Sequence, residues 1–205
     1  MKFDLIKHDL DFTKTFSYFI DHMHWESTLS NKIVDNIDFE KGKFYTFQPI
    51  TANLKKIYDF SEGGILPQNI PYKSGDSIWM EIPNIKSEIA NFVYNSALEN
   101  VIDFVFFEDY NASPRNKHLV IDNVDLIIYK EQIYYLIKNP ILLKDLKNAI
   151  QKTQSLTHSI LLLGKGLKTQ KFDSEEDFDT VSKSAVIIGT TAYDGEGFIF
   201  WEKNN

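Results

Sequence analysis

The sequence contains no cysteine and a single arginine, and both shortages narrow what the protein can be. Without cysteine among its 205 residues, the chain cannot form disulfides, thiolate zinc sites or cysteine nucleophiles. Of 22 basic residues only Arg115 is an arginine, the side chain best suited to bind phosphate through two parallel hydrogen bonds. The formal net charge is −7, whereas nucleic-acid-binding proteins need a basic surface. We therefore expect no direct contact with nucleic acid.

Long apolar runs are absent as well. No segment approaches the roughly 18 consecutive apolar residues of a membrane span. The opening residues, Met1 to Leu5, mix charged with apolar side chains, which disfavours a secretory signal. We therefore predict a cytoplasmic protein that does not enter a membrane. Aromatic residues, by contrast, are plentiful at 14%, and we interpret them as the material of a large buried core.

Apolar spacing predicts one α+β domain over residues 1–205, with a loop at 62–76 as a candidate seam between two subregions. The predicted helices cover Asp11–Met23 and Ala52–Phe60, and others begin after Asn84, at Asn139-Pro140 and after Ser174. The predicted strands are Phe44–Gln48, Ser77–Ile82, Val101–Phe107, Leu119–Ile121, Val124–Tyr129, Gln132–Ile137 and Ser159–Leu163. We expect a mixed or mainly antiparallel sheet with helices packed on one face.

The end of the chain predicts a β-hairpin. Two β-prone segments, 185–188 and 198–201, flank the sequence Tyr193-Asp194-Gly195-Glu196-Gly197. An Asp-Gly pair between such segments is a strong hairpin signal, because glycine tolerates the positive φ of a tight turn. The core must therefore extend to the C-terminus.

No motif in the sequence specifies a reaction, and we predict no catalytic residue, no metal site and no cofactor. In Gly164-Lys165-Gly166 the glycines flank the lysine, whereas a phosphate-binding loop needs G-x-x-x-x-G-K-[ST]. His22 and His24 would point about 200° apart on a helix and could not share a metal ion, whereas in an extended segment they would share a face and could. Asp103 is predicted to lie on the solvent face of its strand, because its apolar sequence neighbours would point to the opposite, buried face.

The enzyme alternative stays open, because scattered carboxylates and histidines can meet in space. The first residues to consider for such a site are Glu108, Asp109, His118 and Asp122. Adjacent carboxylates such as Glu108 and Asp109 would point to opposite faces of a strand. The carboxylates of an acid–base pair must instead converge across a cleft.

The clearest charge run is Asp173-Ser174-Glu175-Glu176-Asp177-Phe178-Asp179. Ser174-x-x-Asp177 resembles a capping box, and carboxylates stabilise the positive end of a helix dipole by roughly 0.3–1 kcal/mol each. The same run can also serve as an acidic docking surface, with Phe178 as an apolar contact. The candidate partner-binding residues are Glu175, Glu176, Asp177, Asp179, Asp194 and Glu196.

The segment from Ala192 to Glu202 resembles the C-terminal hairpin of some small acidic bacterial immunity proteins, the inhibitors encoded beside polymorphic or contact-dependent toxins. This resemblance implies a non-enzymatic protein whose acidic surface blocks a basic toxin domain. It covers about a dozen residues and carries no residue roles with it. Two other hypotheses remain, a small cytosolic enzyme and a structural or homo-oligomeric assembly protein.

Overall fold

The computed structural model describes seven stretches of the chain: residues 3–7, 27–49, 85–109, 122–152, 160–168, 171–192 and 197–204. These stretches contain eight strands, four α-helices and one short 3₁₀ helix. In chain order the elements are β1 (Phe3–Lys7), α1 (Thr28–Asn36), the 3₁₀ helix (Phe39–Lys41), β2 (Gly42–Pro49), α2 (Ile85–Glu99), β3 (Phe104–Asp109), β4 (Asp125–Tyr129), β5 (Gln132–Lys138), α3 (Leu143–Lys152), β6 (Ile160–Gly164), α4 (Glu175–Lys183), β7 (Ala185–Ala192) and β8 (Gly197–Lys203).

All the described strands belong to one sheet, in the order β1-β2-β8-β7-β6-β3-β5-β4. Every neighbouring pair in it is antiparallel. Strands β7 and β8 form the predicted C-terminal hairpin, with Ile188 opposite Trp201. Its turn, residues 193–196, lies outside the described residues. The fold class is therefore α+β, as the sequence predicts.

The helices cover both faces of the sheet in two layers. Helices α1 and α4 pack against each other over one face, where their apolar residues join a cluster that includes Phe106, Tyr134 and Trp201. Helices α2 and α3 pack against each other over the opposite face, on a cluster that includes Phe107, Tyr135 and Phe200. The prediction that helices cover one face is therefore wrong, because the sheet presents apolar side chains on both sides.

Strand β3 is an interior strand of the sheet, between β5 and β6, and all six of its residues are buried. Phe104 and Phe106 face the α1/α4 layer, whereas Val105 and Phe107 face the α2/α3 layer. A strand covered on both faces is apolar at nearly every position, so its side chains do not alternate between apolar and polar. The strand thereby places the carboxylates at its C-terminal end inside the protein.

Several predicted elements are confirmed. Helix α2 begins directly after Asn84, and Ile89, Val93 and Ala97 form its buried stripe. Strands β4 and β5 form the predicted hairpin, joined by the two residues Lys130 and Glu131. The helix predicted after Ser174 is α4.

Other predictions need correction. Neither β1 nor α1 is predicted; α1 has only two apolar residues fully buried, Leu29 and Ile33, too few to give a clear period. Helix α3 begins at Leu143 rather than at Pro140, and the Asn139–Pro140 peptide is cis. The strand predicted from Val101 begins at Phe104.

The remaining predicted elements fall outside the described residues. They are the helices Asp11–Met23 and Ala52–Phe60, the strands Ser77–Ile82 and Leu119–Ile121, and the candidate seam at 62–76.

Candidate functional site: an acidic helix surface and a buried carboxylate

The acidic run forms the N-terminal end of α4, on one helical layer of the protein. Asp177 accepts hydrogen bonds from the backbone N–H and hydroxyl of Ser174, at 2.9 and 2.8 Å, and from the N–H of Asp173. Burial opposes ionisation of Asp177, but these hydrogen bonds outweigh it, so its pKa lies below the usual value. Asp177 therefore caps the helix, the role that the Ser174-x-x-Asp177 spacing predicts.

Glu175 connects α4 to two other elements. Its carboxylate pairs with Lys130 in the β4–β5 turn, and Lys32 of α1 approaches it at 3.9 Å. The hydrogen bond from Lys130 is the main reason that the pKa of Glu175 is lowered. About half of the Glu175 side chain remains exposed, so the pair is accessible from solvent.

Asp179 lies one turn further along α4 and faces α1. It pairs with Lys183 on its own helix and accepts a hydrogen bond from the side-chain amide of Asn36 at 2.8 Å. The same amide also donates to the Ser182 hydroxyl. The hydrogen bonds from Lys183 and Asn36 lower the pKa of Asp179. This carboxylate therefore serves first to hold the two helices together.

Glu176 faces solvent without a partner in the described part of the chain, unlike the other candidate contacts on α4. Its side chain is exposed, and within the described residues no ion pair or side-chain hydrogen bond engages its carboxylate. Asp173, next to the capping box, is exposed as well. The other two predicted contacts, Asp194 and Glu196, lie outside the described residues.

Phe178 has no exposed surface, so the prediction that it contacts a partner is wrong. Its ring lies 4.8 to 6.1 Å, centroid to centroid, from four other aromatic rings of the core: Phe106, Tyr129, Tyr134 and Phe172. Within the acidic run it is therefore the residue that attaches α4 to the sheet.

A second candidate site lies below this helix layer, around Glu108 of β3. Its carboxyl group has no exposed surface and accepts a hydrogen bond from the Ser27 hydroxyl at 2.9 Å. The other carboxyl oxygen, Oε1, and the hydroxyl of Tyr134, directly opposite on β5, have no hydrogen-bond partner among the described residues. Burial raises the pKa of Glu108 to about 8; the hydrogen bond from Ser27 opposes this, and the charge of Asp109 adds to it. Glu108 is therefore largely protonated at neutral pH.

Glu108 and Asp109 do not form a catalytic pair, because they point to opposite faces of β3, as alternation predicts. Asp109 is also buried; burial of Tyr135, with a smaller contribution from the Asp109 charge, raises the pKa of Tyr135 to about 12. Of the other two residues considered for an enzyme site, Asp122 is exposed and His118 lies outside the described residues.

Sequence reasoning missed both neighbours of Glu108, the hydrogen-bond donor Ser27 and the facing residue Tyr134. Ser27 caps α1, where its hydroxyl also accepts the Ser30 N–H at 3.0 Å. Nothing in the sequence connects this cap to a strand 81 residues later. In the sequence Tyr134 resembles any other core residue. Only the β3–β5 register places it opposite Glu108.

The remaining chemical motifs have structural roles where they are described. Asp103 is exposed, as predicted, but it precedes β3, and its carboxylate accepts the Gly166 N–H at 2.8 Å. Gly164 ends β6, as expected of a strand-ending turn. Within the described residues no three His, Cys, Asp or Glu side chains group as metal ligands. None of the helices described is both long and apolar enough to cross a membrane.

Comparison of the chain with protein-family models, with curated proteins and with solved structures gave no significant match. The function must therefore be argued from the chain's own residues.

Proposed function

We propose that the protein is a non-enzymatic bacterial immunity protein, which neutralises a cognate toxin by binding a basic surface of that toxin. The observation that carries the proposal is the distribution of charge between the two helical layers. Residues 171–184, which include α4, contain five carboxylates and two lysines, whereas α3 on the opposite face contains three lysines and one carboxylate. An acidic surface of this kind steers a basic partner towards the correct face of the protein.

The candidate contacts differ in how far their carboxylates are already engaged within the protein. Asp177 and Asp179 are partly exposed, but their carboxylates already accept hydrogen bonds within the protein. Glu175 shares its charge with lysines, and Glu176 directs its carboxylate to solvent. Glu176 is therefore the residue that we expect to contact the partner most directly.

Charge reversal tests this proposal. The Glu176→Lys variant should lose most of its affinity for the partner, because it replaces attraction with repulsion at the proposed contact. Glu99→Lys is the matched control, since Glu99 is also an exposed helical glutamate but lies in the α2/α3 layer. Both variants change the net charge equally, so a difference between them reports position rather than overall charge.

The measurement is capture on immobilised wild-type protein and on both variants from a lysate of the source bacterium, at low and moderate salt, read by mass spectrometry. We expect one stoichiometric basic protein, retained by wild type and Glu99→Lys and lost by Glu176→Lys. Co-expression with wild type should then relieve the toxicity of that protein. Equal capture by both variants would contradict the proposed surface, and a captured protein that is not toxic would contradict the immunity role.

One observation favours the enzyme alternative. Glu108 is a carboxylic acid of raised pKa next to the hydroxyl of Ser27, the kind of group that can act as a general acid. Glu108, Ser27 and Tyr134 are each at most 2% exposed, however, so a substrate could reach them only after the covering residues move. If the protein is a binding protein, Glu108→Gln should bind the captured partner as wild type does.

A further inference from the structure

Strand β4 is an edge of the described sheet. It pairs with β5 on one side, and no described strand pairs with its other side. None of its five residues is fully buried, and Ile128 is 41% exposed. Natural proteins usually protect such an edge with lysine, proline or a bulge, because its unpaired backbone groups can bind another strand. The interior of β4, Leu126-Ile127-Ile128, contains neither lysine nor proline.

The β4–β5 turn fixes which backbone groups face the outer edge. Its two residues, Lys130 and Glu131, have φ of 46° and 66°, as in a type I′ turn. In a two-residue hairpin the flanking residues, here Tyr129 and Gln132, exchange both backbone hydrogen bonds, and such pairs then alternate along the strands. The backbone groups of Leu126 and Ile128 therefore point away from β5, towards the outer edge.

We propose that this outer edge of β4 pairs with the same edge of a second copy of the chain, antiparallel and centred on Ile127, so that the two sheets become continuous. In this register Leu126 lies opposite the partner subunit's Ile128. Each of the two such pairs exchanges two backbone hydrogen bonds, so the outward groups of both residues are satisfied in both subunits.

Charge and apolar surface both favour a second copy as the occupant. Asp122 precedes the strand and Asp125 begins it, whereas Lys130 and Glu131 follow its end; within one subunit Asp125 pairs with Lys138 and Lys130 pairs with Glu175. The excess of negative charge therefore lies at the start of the strand, and antiparallel pairing keeps these acidic ends of the two copies apart. Ile128 and Leu126 lie on the same face, so each exposed Ile128 would pack on the partner's Leu126. The dimer does not depend on the proposed function.

The association state of the purified protein tests this inference, measured by sedimentation equilibrium from about 1 to 300 μM. Wild type should dimerise reversibly within this range. Ile128→Lys should remain monomeric with an unchanged circular dichroism spectrum, because a charge then lies at the centre of the interface. Val34→Lys on α1 is the matched control, since Val34 is 42% exposed, and it should dimerise as wild type does. Wild type that stays monomeric, or equal behaviour of the two variants, would overturn the proposal.

A crosslink tests the register independently. The chain has no cysteine, so a single introduced one can form a disulfide only between subunits. At the two-fold axis the two Ile127 residues would form a non-hydrogen-bonded pair with Cα atoms about 4.5 Å apart, within the range of a disulfide. Ile127→Cys should therefore crosslink under mild oxidation, whereas Val34→Cys should not. Failure of Ile127→Cys to crosslink while it remains folded would refute the register.

Discussion

The environment of Glu108 differs strongly from that of a carboxyl group in water. Glu108 lies without exposed surface opposite Tyr134, with one hydrogen bond to one of its two oxygens. Burial disfavours the charged form, so the folded state holds a proton that the unfolded chain releases. Glu108 should therefore make the stability of the protein depend on pH.

We expect Glu108→Gln to flatten the dependence of stability on pH. Below the usual carboxyl pKa of 4.5 Glu108 is protonated in both states, and its contribution to stability is fully present. Between pH 4.5 and about 8 only the folded state keeps the proton, so the free energy of unfolding falls by up to about 1.4 kcal/mol per pH unit. The glutamine side chain cannot ionise and removes this loss.

Urea denaturation of wild type and Glu108→Gln between pH 5 and 8.5 measures the effect. The free energy of unfolding of wild type should fall relative to that of the variant as pH rises towards 8. Glu176→Gln, the same change at an exposed carboxylate without a partner among the described residues, is the control and should follow wild type. Parallel curves for wild type and Glu108→Gln would show that Glu108 is ionised in the folded protein.

Among the secondary-structure elements, α2 ends in a backbone conformation that the residue at that position disfavours. The N–H of Ile102 bonds to the carbonyl of Ala97, and the N–H of Val101 bonds to that of Leu98. This is the Schellman pattern, whose left-handed residue is usually glycine. Here it is Val101, with φ of 51° and a side chain 74% exposed. A β-branched residue in this region is strained.

Val101→Gly should therefore stabilise the protein. Relief of the left-handed strain contributes about 1–2 kcal/mol, and the greater freedom of glycine in the unfolded chain offsets about 0.5–1 kcal/mol of it. Chemical denaturation should show a net gain of about 0.5–1 kcal/mol. Asn123→Gly is a suitable control, because asparagine already tolerates its φ of 61° and the gain should be smaller. A loss of stability in Val101→Gly would mean that the valine side chain makes a stabilising contact.

For the molecule as a whole, the attachment of each helical layer to the sheet decides stability, and α4 is attached through Phe178. Helix α4 carries the exposed carboxylates on one side and this buried ring on the other. Binding and folding therefore depend on different residues of the same acidic run.

Phe178→Ala should reduce the free energy of unfolding by about 3–5 kcal/mol, because it leaves a cavity among four aromatic rings. Glu176→Lys, two residues earlier, should cost only about 1 kcal/mol, because it exchanges a carboxylate for a cation in the first turn of α4 and leaves the core intact. Thermal and urea denaturation of both variants measure the contrast. A loss below about 1 kcal/mol in Phe178→Ala would indicate that α4 is only loosely packed on the sheet.

The sequence by itself determined the features that depend on neighbouring residues. Spacing along the chain identified α2, the β4–β5 hairpin, the C-terminal hairpin and the capping role of Asp177, since each follows from local periodicity or turn chemistry. It also determined the α+β class and the excess of negative charge.

Only the tertiary structure decided the rest. It placed helices on both faces, buried Phe178, and brought Ser27 and Tyr134 to Glu108 across 81 and 26 residues of sequence. It also made β4 an edge strand. Sheet order and strand register determine these relations, and both depend on contacts between distant residues that no local pattern encodes.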